Sequence, residues 1–349
     1  MSDNQRPDNP PEYVTMKIHP DIFEELGVRD PEEIKLQTKI MKETRKTIKA
    51  LKETPDDLDK KIDLATLYVD GGNYEQAIKL LKEVVHKDTK NFRAYKVLGT
   101  AYVLHNHEDE AIREMNRAAE LNQSDAEIHF NLGGIYMLQD MFDSAIREFK
   151  KVIEIDPADF TAYANLAAAY DMEKAYMEEI LALKKVLMFD PENKELRAAL
   201  STAYFNDGQF DEALNAALCV VDVDEKDPQG YCNLGSIYAA KNLVEDAIKN
   251  FQKASELDPD FSLPHTNLGC LYGALGKTDS AIKEFKKATS LCQSDALAWH
   301  NLYKSYKDVG RHDDAQEAYV KYENLMSGNS SAGSDTAEIS DIPDGVSAG

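Results

Sequence analysis

A tyrosine recurs every 34 residues through most of the chain, and this fixed period limits what the sequence can fold into. The eight tyrosines are Tyr68, Tyr102, Tyr136, Tyr170, Tyr204, Tyr238, Tyr272 and Tyr306. A leucine lies four residues before each of them, from Leu64 to Leu302. A period of roughly 20–50 residues is typical of solenoids, in which each copy of a small unit buries its apolar face against its neighbours. The sequence therefore predicts a repeat array.

Each repeat unit carries two apolar stripes with helical spacing. With positions numbered 1 to 34, the units begin at Leu58, Phe92, Ala126, Phe160, Lys194, Pro228, Ser262 and Ala296. Positions 4, 7 or 8, and 11 share one face of a first helix, and positions 20, 24 and 27 share one face of a second. Small residues at positions 8 and 20, such as Gly133 and Ala145, let the helices approach closely. Glycine or asparagine at position 15 suits a tight turn, so each unit is predicted to be a helical hairpin.

These residues resemble the tetratricopeptide repeat, whose pattern of W/L/Y, L, G/A/S, Y, A, F, A and P falls at positions 4, 7, 8, 11, 20, 24, 27 and 32. The eight matching units are 58–91, 92–125, 126–159, 160–193, 194–227, 228–261, 262–295 and 296–329. The resemblance implies an all-α, right-handed superhelical α-solenoid of eight hairpins, with the first helices lining a concave groove.

Two units depart from the pattern. Glu179 replaces alanine at position 20 of the fourth unit, which predicts that the hairpin from Phe160 to Asp190 is spread or shifted in register, with Ala182 taking over the close contact. The eighth unit has Tyr303 at position 8 and Tyr322 at position 27, so the C-terminal end of the array is expected to be aromatic.

The segments outside the repeats differ in composition. We expect a flexible N-terminal segment over 1–29, a basic capping helix over 30–57, and a disordered acidic tail over 327–349 that overlaps the end of the last unit. The basic helix either only caps the array or also contacts an acidic partner, a membrane surface or another copy. Because the sequence has no signal peptide and no run of about 18 apolar residues, it predicts a cytoplasmic chain without a membrane span.

The net charge and the motifs limit the classes of function that the chain can have. The net charge of −23 opposes binding to nucleic-acid phosphates, and basic partners are favoured instead. The four cysteines, Cys219, Cys232, Cys270 and Cys292, lack metal-ligand spacing and are expected to be reduced thiols. The segment 273–278 has Leu271 where a phosphate-binding loop needs glycine, and no catalytic fingerprint is found. We therefore expect no enzyme activity, no metal and no cofactor.

The concave groove is the candidate binding site. Position 6 holds asparagine in five units, at Asn131, Asn165, Asn233, Asn267 and Asn301. The resemblance implies that asparagine there can hydrogen-bond the main chain of an extended peptide, although it is equally the residue that the family prefers at this position. Nearby inner positions carry apolar and basic residues, namely Phe130, Met137, Met172, Phe205, Arg93, Lys96 and Lys304. Only Lys96 and Asn131 match the carboxylate clamp of chaperone-type modules, so an extended or helical segment with apolar side chains is favoured.

Two roles follow from these residues. The first is a non-catalytic scaffold or adaptor that binds a protein segment in the groove. The alternative is a substrate-recognition subunit of an enzyme complex, such as a glycosyltransferase assembly, whose catalytic domain would be another chain. The aromatic end, with Tyr303, Tyr306, Tyr319 and Tyr322, is either a homo-oligomer contact or a terminal surface on which tyrosine hydroxyls face water.

Overall fold

The protein folds into α-helices only, over the part of the chain that the structure describes. The computed structural model describes residues 31–328. The predicted flexible segment 1–29 and nearly all of the predicted acidic tail lie outside them. Within 31–328 the helices form two compact bodies, an N-terminal body of residues 31–189 and a C-terminal body of residues 190–328.

The N-terminal body contains one single helix and four hairpins among its described residues. The single helix is α1 (Pro31–Glu53), and the hairpins are α2 (Leu58–Asp70) with α3 (Tyr74–Lys87), α4 (Phe92–Leu104) with α5 (Glu108–Leu121), α6 (Ala126–Leu138) with α7 (Phe142–Ile155), and α8 (Phe160–Met172) with α9 (Tyr176–Leu187). Helix α1 packs on α2, and Ile40 is its buried residue.

The C-terminal body contains four further hairpins. They are α10 (Lys194–Asn206) with α11 (Phe210–Val223), α12 (Pro228–Ala240) with α13 (Val244–Leu257), α14 (Leu263–Ala274) with α15 (Thr278–Leu291), and α16 (Ala296–Asp308) with α17 (His312–Gly328). Every first helix begins at position 1 or 2 of a predicted unit. The predictions of an all-α fold and of eight helical hairpins preceded by an N-terminal helix are confirmed for the described residues.

An acidic or amide side chain starts nearly every first helix. Seven of the eight have an N-cap whose side chain accepts a hydrogen bond from a backbone N–H in the first turn: Asp57, Asn91, Asp125, Asp159, Asn193, Asp227 and Asp295. Such caps satisfy amides that have no partner within the helix. The periodic Asp or Asn at position 34 was the sequence signal for these helix starts.

Every hairpin turns through a left-handed residue at position 15. Glycine takes this conformation at Gly72, Gly208, Gly276 and Gly310, with φ between 68° and 77°. The four other turns use Asn106, Asp140, Lys174 and Asn242, with φ between 55° and 59°. The expected turn role of glycine and asparagine is confirmed, and Gly276 is a turn residue rather than part of a phosphate loop.

The closest approach within a hairpin joins position 8 of the first helix to position 24 of the second. A Cβ atom built on Gly133 would lie 2.5 Å from Cε1 of Phe149, and one built on Gly235 would lie 2.6 Å from a ring carbon of Phe251. Where position 8 is alanine, as at Ala167, position 24 is the smaller Leu183. The two residues are therefore matched in size, and their contact sets the distance between the helices.

This size match can be tested in the third hairpin. Gly133→Ala should destabilise the protein by about 1–3 kcal/mol, because the added methyl group overlaps the Phe149 ring and the core must shift to admit it. Adding Phe149→Leu recreates the alanine–leucine combination of the fourth hairpin. The double variant should lose less stability in urea unfolding than the two single variants do in sum. Strict additivity would show that the two residues are not matched.

Helix α9 buries a carboxyl group. Glu179 is 5% exposed, and its Oε2 has no hydrogen-bond partner among the described residues. Burial, and secondly the carboxylate of Asp171, raise the pKa of Glu179 to about 8. The buried residues of α9, including Ala182, fall at the same repeat positions as those of α7. Of the expected spreading or shift in register, the shift is therefore wrong: α9 keeps the register of α7 with Glu179 buried, where the raised pKa favours its protonated form at neutral pH.

Glu179 should make stability depend on pH. Its pKa is about 8 when folded and near the ordinary 4.5 when unfolded, so unfolding releases a proton between these values. Its stabilisation is fully present below about pH 4.5 and falls as the pH rises towards 8, by roughly 2–4 kcal/mol in all. Glu179→Gln should flatten the dependence of the melting temperature on pH between 5 and 8.

The control for this experiment is Glu173→Gln, which alters an exposed carboxylate at the end of α8. It should leave the pH dependence of wild type unchanged. Identical pH profiles for wild type and Glu179→Gln would show that Glu179 is ionised in the folded protein at neutral pH.

Candidate protein-binding groove

The sequence-predicted site residues lie on one face of the first helices. We call this face, formed by positions 2, 5, 6, 9, 12 and 13, the first-helix face. In the N-terminal body it includes Arg93, Lys96, Phe130, Asn131, Met137, Asn165 and Met172. In the C-terminal body it includes Phe205, Asn233, Asn267, Asn301 and Lys304.

An open cavity of about 650 Å³ lies on the first-helix face of the N-terminal body. It is lined by the turn before α6, the first turns of α6 and the turn before α8, through Asn122, Ser124, Asp125, Ala126, Glu127, Phe130, Asp156 and Asp159. The Phe130 ring stands edge-on against Phe149, with centroids 5.8 Å apart, so the core holds it in place. The cavity thus combines one fixed aromatic ring with four carboxylates.

Local hydrogen bonds fix three of these carboxylates, and Asp156 accepts its bond from the backbone N–H of Ala158 at 3.0 Å. Asp125 accepts a hydrogen bond from the backbone N–H of Glu127 at 3.1 Å, and Asp159 accepts one from the N–H of Ala162 at 3.0 Å. Both are helix N-caps and hold their places without a ligand. The carboxylates of Glu127 and Asp156 are more exposed and extend the negative charge around the opening.

The predicted basic residues of this face are paired with carboxylates. Lys96 Nζ lies 3.1 Å from Asp125 and 3.0 Å from Glu127. Burial alone would lower the pKa of Lys96, but these hydrogen bonds outweigh it and raise the pKa. Arg93 lies 3.5 Å from Asp59 and 3.4 Å from Asp63. Each cation is thus matched by acids of a neighbouring hairpin, and the face around the cavity is negative overall.

The asparagines of the N-terminal body are buried rather than displayed. Asn165 donates a hydrogen bond from Nδ2 to the carbonyl of Thr161 in its own helix at 2.8 Å. Asn131 is also buried, and its Oδ1 has no donor among the described residues. Met137 is buried, whereas Met172 is about half exposed. Of these residues, Asn131 is the one with an unused hydrogen-bonding atom.

In the C-terminal body two asparagines lie against cysteines of the preceding hairpin. Asn267 Nδ2 is 3.8 Å from Cys232 Sγ, and Asn301 Nδ2 is 3.5 Å from Cys270 Sγ. Burial raises the pKa of Cys232 to about 12 and that of Cys270 to about 11, so both thiols stay protonated at neutral pH. Position 6 therefore lies in the seam between successive first helices.

The remaining predicted residues of this body are more accessible. Asn233 is half-buried and accepts a hydrogen bond from Nε2 of Gln229 at 2.8 Å. Phe205 is half-buried against Phe210, with ring centroids 5.6 Å apart. Lys304 is exposed. Asn233, Phe205 and Lys304 are the predicted side chains that a ligand can reach on this face without repacking the seam, and Asn301 is half-buried at its contact with Cys270.

The aromatic residues at the C-terminal end contact one another. The ring centroids of Tyr303 and Tyr319 are 5.0 Å apart, and those of His300 and Tyr322 are 4.9 Å apart with nearly parallel planes. Each of the four residues is partly buried. Much of their surface is thus covered within the hairpin, and the homo-oligomer contact at this end stays a prediction.

The remaining chemistry of the described residues is sparse. All four cysteines are free. Residues 31–328 contain no group of three or more histidine, cysteine, aspartate or glutamate side chains arranged to hold a metal ion. No helix in this range is both long enough and apolar enough to cross a membrane.

Comparison with protein-family models identifies the repeat. Models described as tetratricopeptide repeat match residues 37–95, 102–170 and 264–295, and one described as TPR repeat matches 235–276. Together they cover more than half of the 349 residues, with the period and hairpins found above. The chain belongs to the tetratricopeptide repeat family. The family resemblance seen in the sequence is confirmed.

The chain is similar to solved structures, one of which has a TM-score above 0.5 and shares the fold. The C-terminal part of a TPR repeat-containing protein from Cytophaga hutchinsonii is 15% identical, with a TM-score of 0.56 over 69% of this chain and 99% of that one. YrrB, described as a TPR protein with an unusual peptide-binding site, is 21% identical, with a TM-score of 0.48 over 53% of this chain and 95% of that one. The structure of the APC/C hetero-tetramer Cut9–Hcn1 is 15% identical, with a TM-score of 0.43 over 78% and 54%. No curated protein matches the chain significantly.

Proposed function

We propose that this tetratricopeptide repeat protein is a non-catalytic interaction scaffold that binds a segment of another protein on its first-helix face. The observation that carries the proposal is the 650 Å³ cavity at Phe130 in the N-terminal body. It is an open, largely polar depression rather than an enclosed pocket, and it is broad enough to take more than one amino-acid side chain of a segment that lies across it. It opens on the face that helical-repeat arrays use for extended ligands.

The lining of the cavity favours a segment with a basic residue next to an apolar one. Phe130 lines the cavity although only 6% of the residue is exposed, and Glu127 and Asp156 offer carboxylates that an incoming lysine or arginine can reach. Lys96 already makes such a contact from within the chain, since its ammonium group bridges Asp125 and Glu127. A ligand ammonium group would make a similar bridge on the other side of the opening. The chain's net charge of −23 would also speed the approach of a basic partner.

Asn131 supports main-chain recognition beside the cavity. Its Oδ1 is buried without a donor, and an unsatisfied buried acceptor costs about 1–3 kcal/mol. Asn131 follows Phe130 directly on α6. Because this oxygen is buried, a backbone N–H of a bound segment would satisfy it only after the Asn131 side chain turns towards the cavity, so main-chain recognition would be coupled to that movement.

The charge of the cavity can be tested with synthetic peptides on the full chain. The probes are peptides of about twelve residues in which an apolar residue is flanked by lysines, with matched versions carrying glutamine instead. Glu127→Gln with Asp156→Asn should weaken binding of the lysine peptides about three- to tenfold in fluorescence anisotropy, because each exposed charge pair contributes about 0.2–1 kcal/mol. Binding of the glutamine peptides should not change.

The matched control removes two carboxylates elsewhere in the same body. Asp109→Asn with Glu154→Gln changes the net charge equally, but both residues lie on the exposed face of second helices. This variant should bind lysine peptides as wild type does. Equal weakening by both double variants would assign the effect to net charge and remove the cavity from the proposal.

The accessible asparagines can be tested separately. The probes are peptides selected for binding to the full chain from a random display library. Asn233→Ala with Asn301→Ala should lower the affinity for these peptides about tenfold, because each lost hydrogen bond contributes about 0.5–1.5 kcal/mol. Hydrogen bonds to a main chain do not depend on the side chains of the ligand. The double variant should therefore lower the affinity equally for versions of one peptide that differ in their side chains. The control, Asn215→Ala with Asn324→Ala, changes exposed asparagines of second helices. Unchanged affinity in the first variant would remove the asparagines from the binding site.

The alternative role, a substrate-recognition subunit for a separate transferase chain, stays a prediction. It predicts co-purification of a catalytic chain with the full-length protein, whereas a simple scaffold retains partners without enzymatic activity.

A further inference from the structure

Helix α9 differs from the other second helices on its outward face. In the seven others, position 18 is acidic and positions 22 and 29 are polar, as α7 illustrates with Asp143, Arg147 and Glu154. In α9 and the residue after it these positions are Met177, Leu181 and Met188. Three polar positions have become apolar in one helix and in no other, so the exposed side of α9 differs from its counterparts by more than a single substitution.

These three side chains are among the most exposed large apolar residues of the described chain. Met177 is 53% exposed, Leu181 is 62% exposed, and Met188 is 73% exposed. Met188 follows the last residue of α9 and keeps a helical backbone, with φ −68° and ψ −26°. The opposite side of α9 packs into its own body through Ile180, Leu183 and Val186, among others, so the apolar stripe points away from it.

The stripe has the spacing of a two-helix seam. Met177, Leu181, Lys184 and Met188 are separated by four, three and four residues, which is the alternation that places successive residues on one line of a helix. Lys184 is the polar member of the series. A lysine in such a seam can lay its four-carbon stem on an apolar neighbour while its ammonium group remains in water. The stripe is about 17 Å long at the helical rise of 1.5 Å per residue.

The charges beside the stripe determine which partner fits. Glu178 and Lys185 are both exposed. Each directly follows a stripe residue, Met177 and Lys184 respectively, so both lie on the same side of the stripe. If a second copy of α9 lies antiparallel across a two-fold axis, Met177 faces Met188 of that copy, and Leu181 faces its Lys184. Glu178 then lies beside Lys185 of the second copy, and the symmetry repeats this pair. A parallel arrangement would instead bring Lys184 beside Lys184.

We propose that α9 is a dimer contact, in which the stripe Met177–Leu181–Lys184–Met188 pairs antiparallel with the same stripe of a second copy of this chain. The occupant is a second copy because the stripe is self-complementary in both apolar and charged positions. The contact involves one helix of each copy, which is smaller than a standard stable interface, so dimerisation with a dissociation constant on the order of micromolar is expected. This contact uses the second helices and leaves the first-helix face free for a ligand.

Sedimentation equilibrium of the full chain tests the contact, over about 1–300 µM. Wild type should be in monomer–dimer equilibrium. The stripe variant, Met177→Asp with Leu181→Arg and Met188→Glu, carries the residues that α7 has at the same positions and should fold. It should be monomeric throughout this range. Leu218→Lys, which changes another exposed leucine on a second helix, should dimerise as wild type does.

Charge reversal distinguishes the antiparallel pairing from nonspecific hydrophobic association. Glu178→Lys should weaken the dimer about tenfold, because it places lysine beside Lys185 in both symmetry-related pairs. Adding Lys185→Glu should restore the affinity to within about threefold of wild type. Far-UV circular dichroism checks that each variant remains helical.

Three outcomes would overturn the proposal. They are a wild type that is monomeric over the whole range, a dimer that survives the stripe substitutions, and a charge-reversed pair that does not recover. A dimer lost only in Tyr303→Gly with Tyr322→Ala would place the contact at the aromatic C-terminal end instead. These outcomes do not depend on peptide binding. A failure of the dimer proposal can therefore be told apart from a failure of the proposal for the first-helix face.

Discussion

The contact between position 8 and position 24 is the constraint on which the rest of this structure depends. It decides how closely the two helices of a hairpin approach, and the pair changes size together, from glycine with phenylalanine to alanine with leucine. The fifth hairpin shows another solution, in which Ser201 faces the small Ala217 and its hydroxyl donates to the carbonyl of Ala213 at 2.9 Å. In the last hairpin both residues are tyrosines, Tyr303 and Tyr319, and their ring centroids lie 5.0 Å apart with planes tilted by 48°. Each unit thus meets the same spacing requirement with different chemistry.

Most of the fold could be predicted from the sequence, because the physical requirements recur at a fixed period. Each hairpin needs a small residue for close approach, a residue that tolerates positive φ in the turn, and an apolar face on each helix. The turns at Asp140 and Lys174 have the same left-handed backbone although neither residue is typical there, so the hairpin geometry outweighs the local preference. The N-caps were harder to predict, because Phe261 interrupts the series at position 34 and because Asp and Asn are as typical of turns as of helix starts.

The candidate site was harder to predict, because accessibility depends on neighbours that are 30 or more residues away in the chain. A pattern of asparagines at position 6 does not show that the preceding hairpin covers them, as Cys232 does for Asn267. The pattern also does not show that Lys96 is matched by Asp125 and Glu127. The negative cavity at Phe130 arises where the first turns of α6 meet the turn before α6 and the turn before α8, and no one unit contains it. Glu179 could be identified as a departure from the sequence, but whether it would turn outward or become buried and protonated was a question of packing.

The contact between positions 8 and 24 lies within one hairpin, and this affects which gene duplications can lengthen the array. Both partners are encoded within 17 residues of each other, so duplication of a whole unit copies a matched pair and leaves the other units with theirs. A duplication that cut the chain between the two helices would instead join a first helix to a second helix of another size class, such as Gly133 with Leu183, and would leave a void or an overlap. Gene rearrangements whose ends fall between hairpins therefore keep each matched pair together. Substitutions on the outward faces, such as those of α9, can then accumulate in single copies without disturbing the frame.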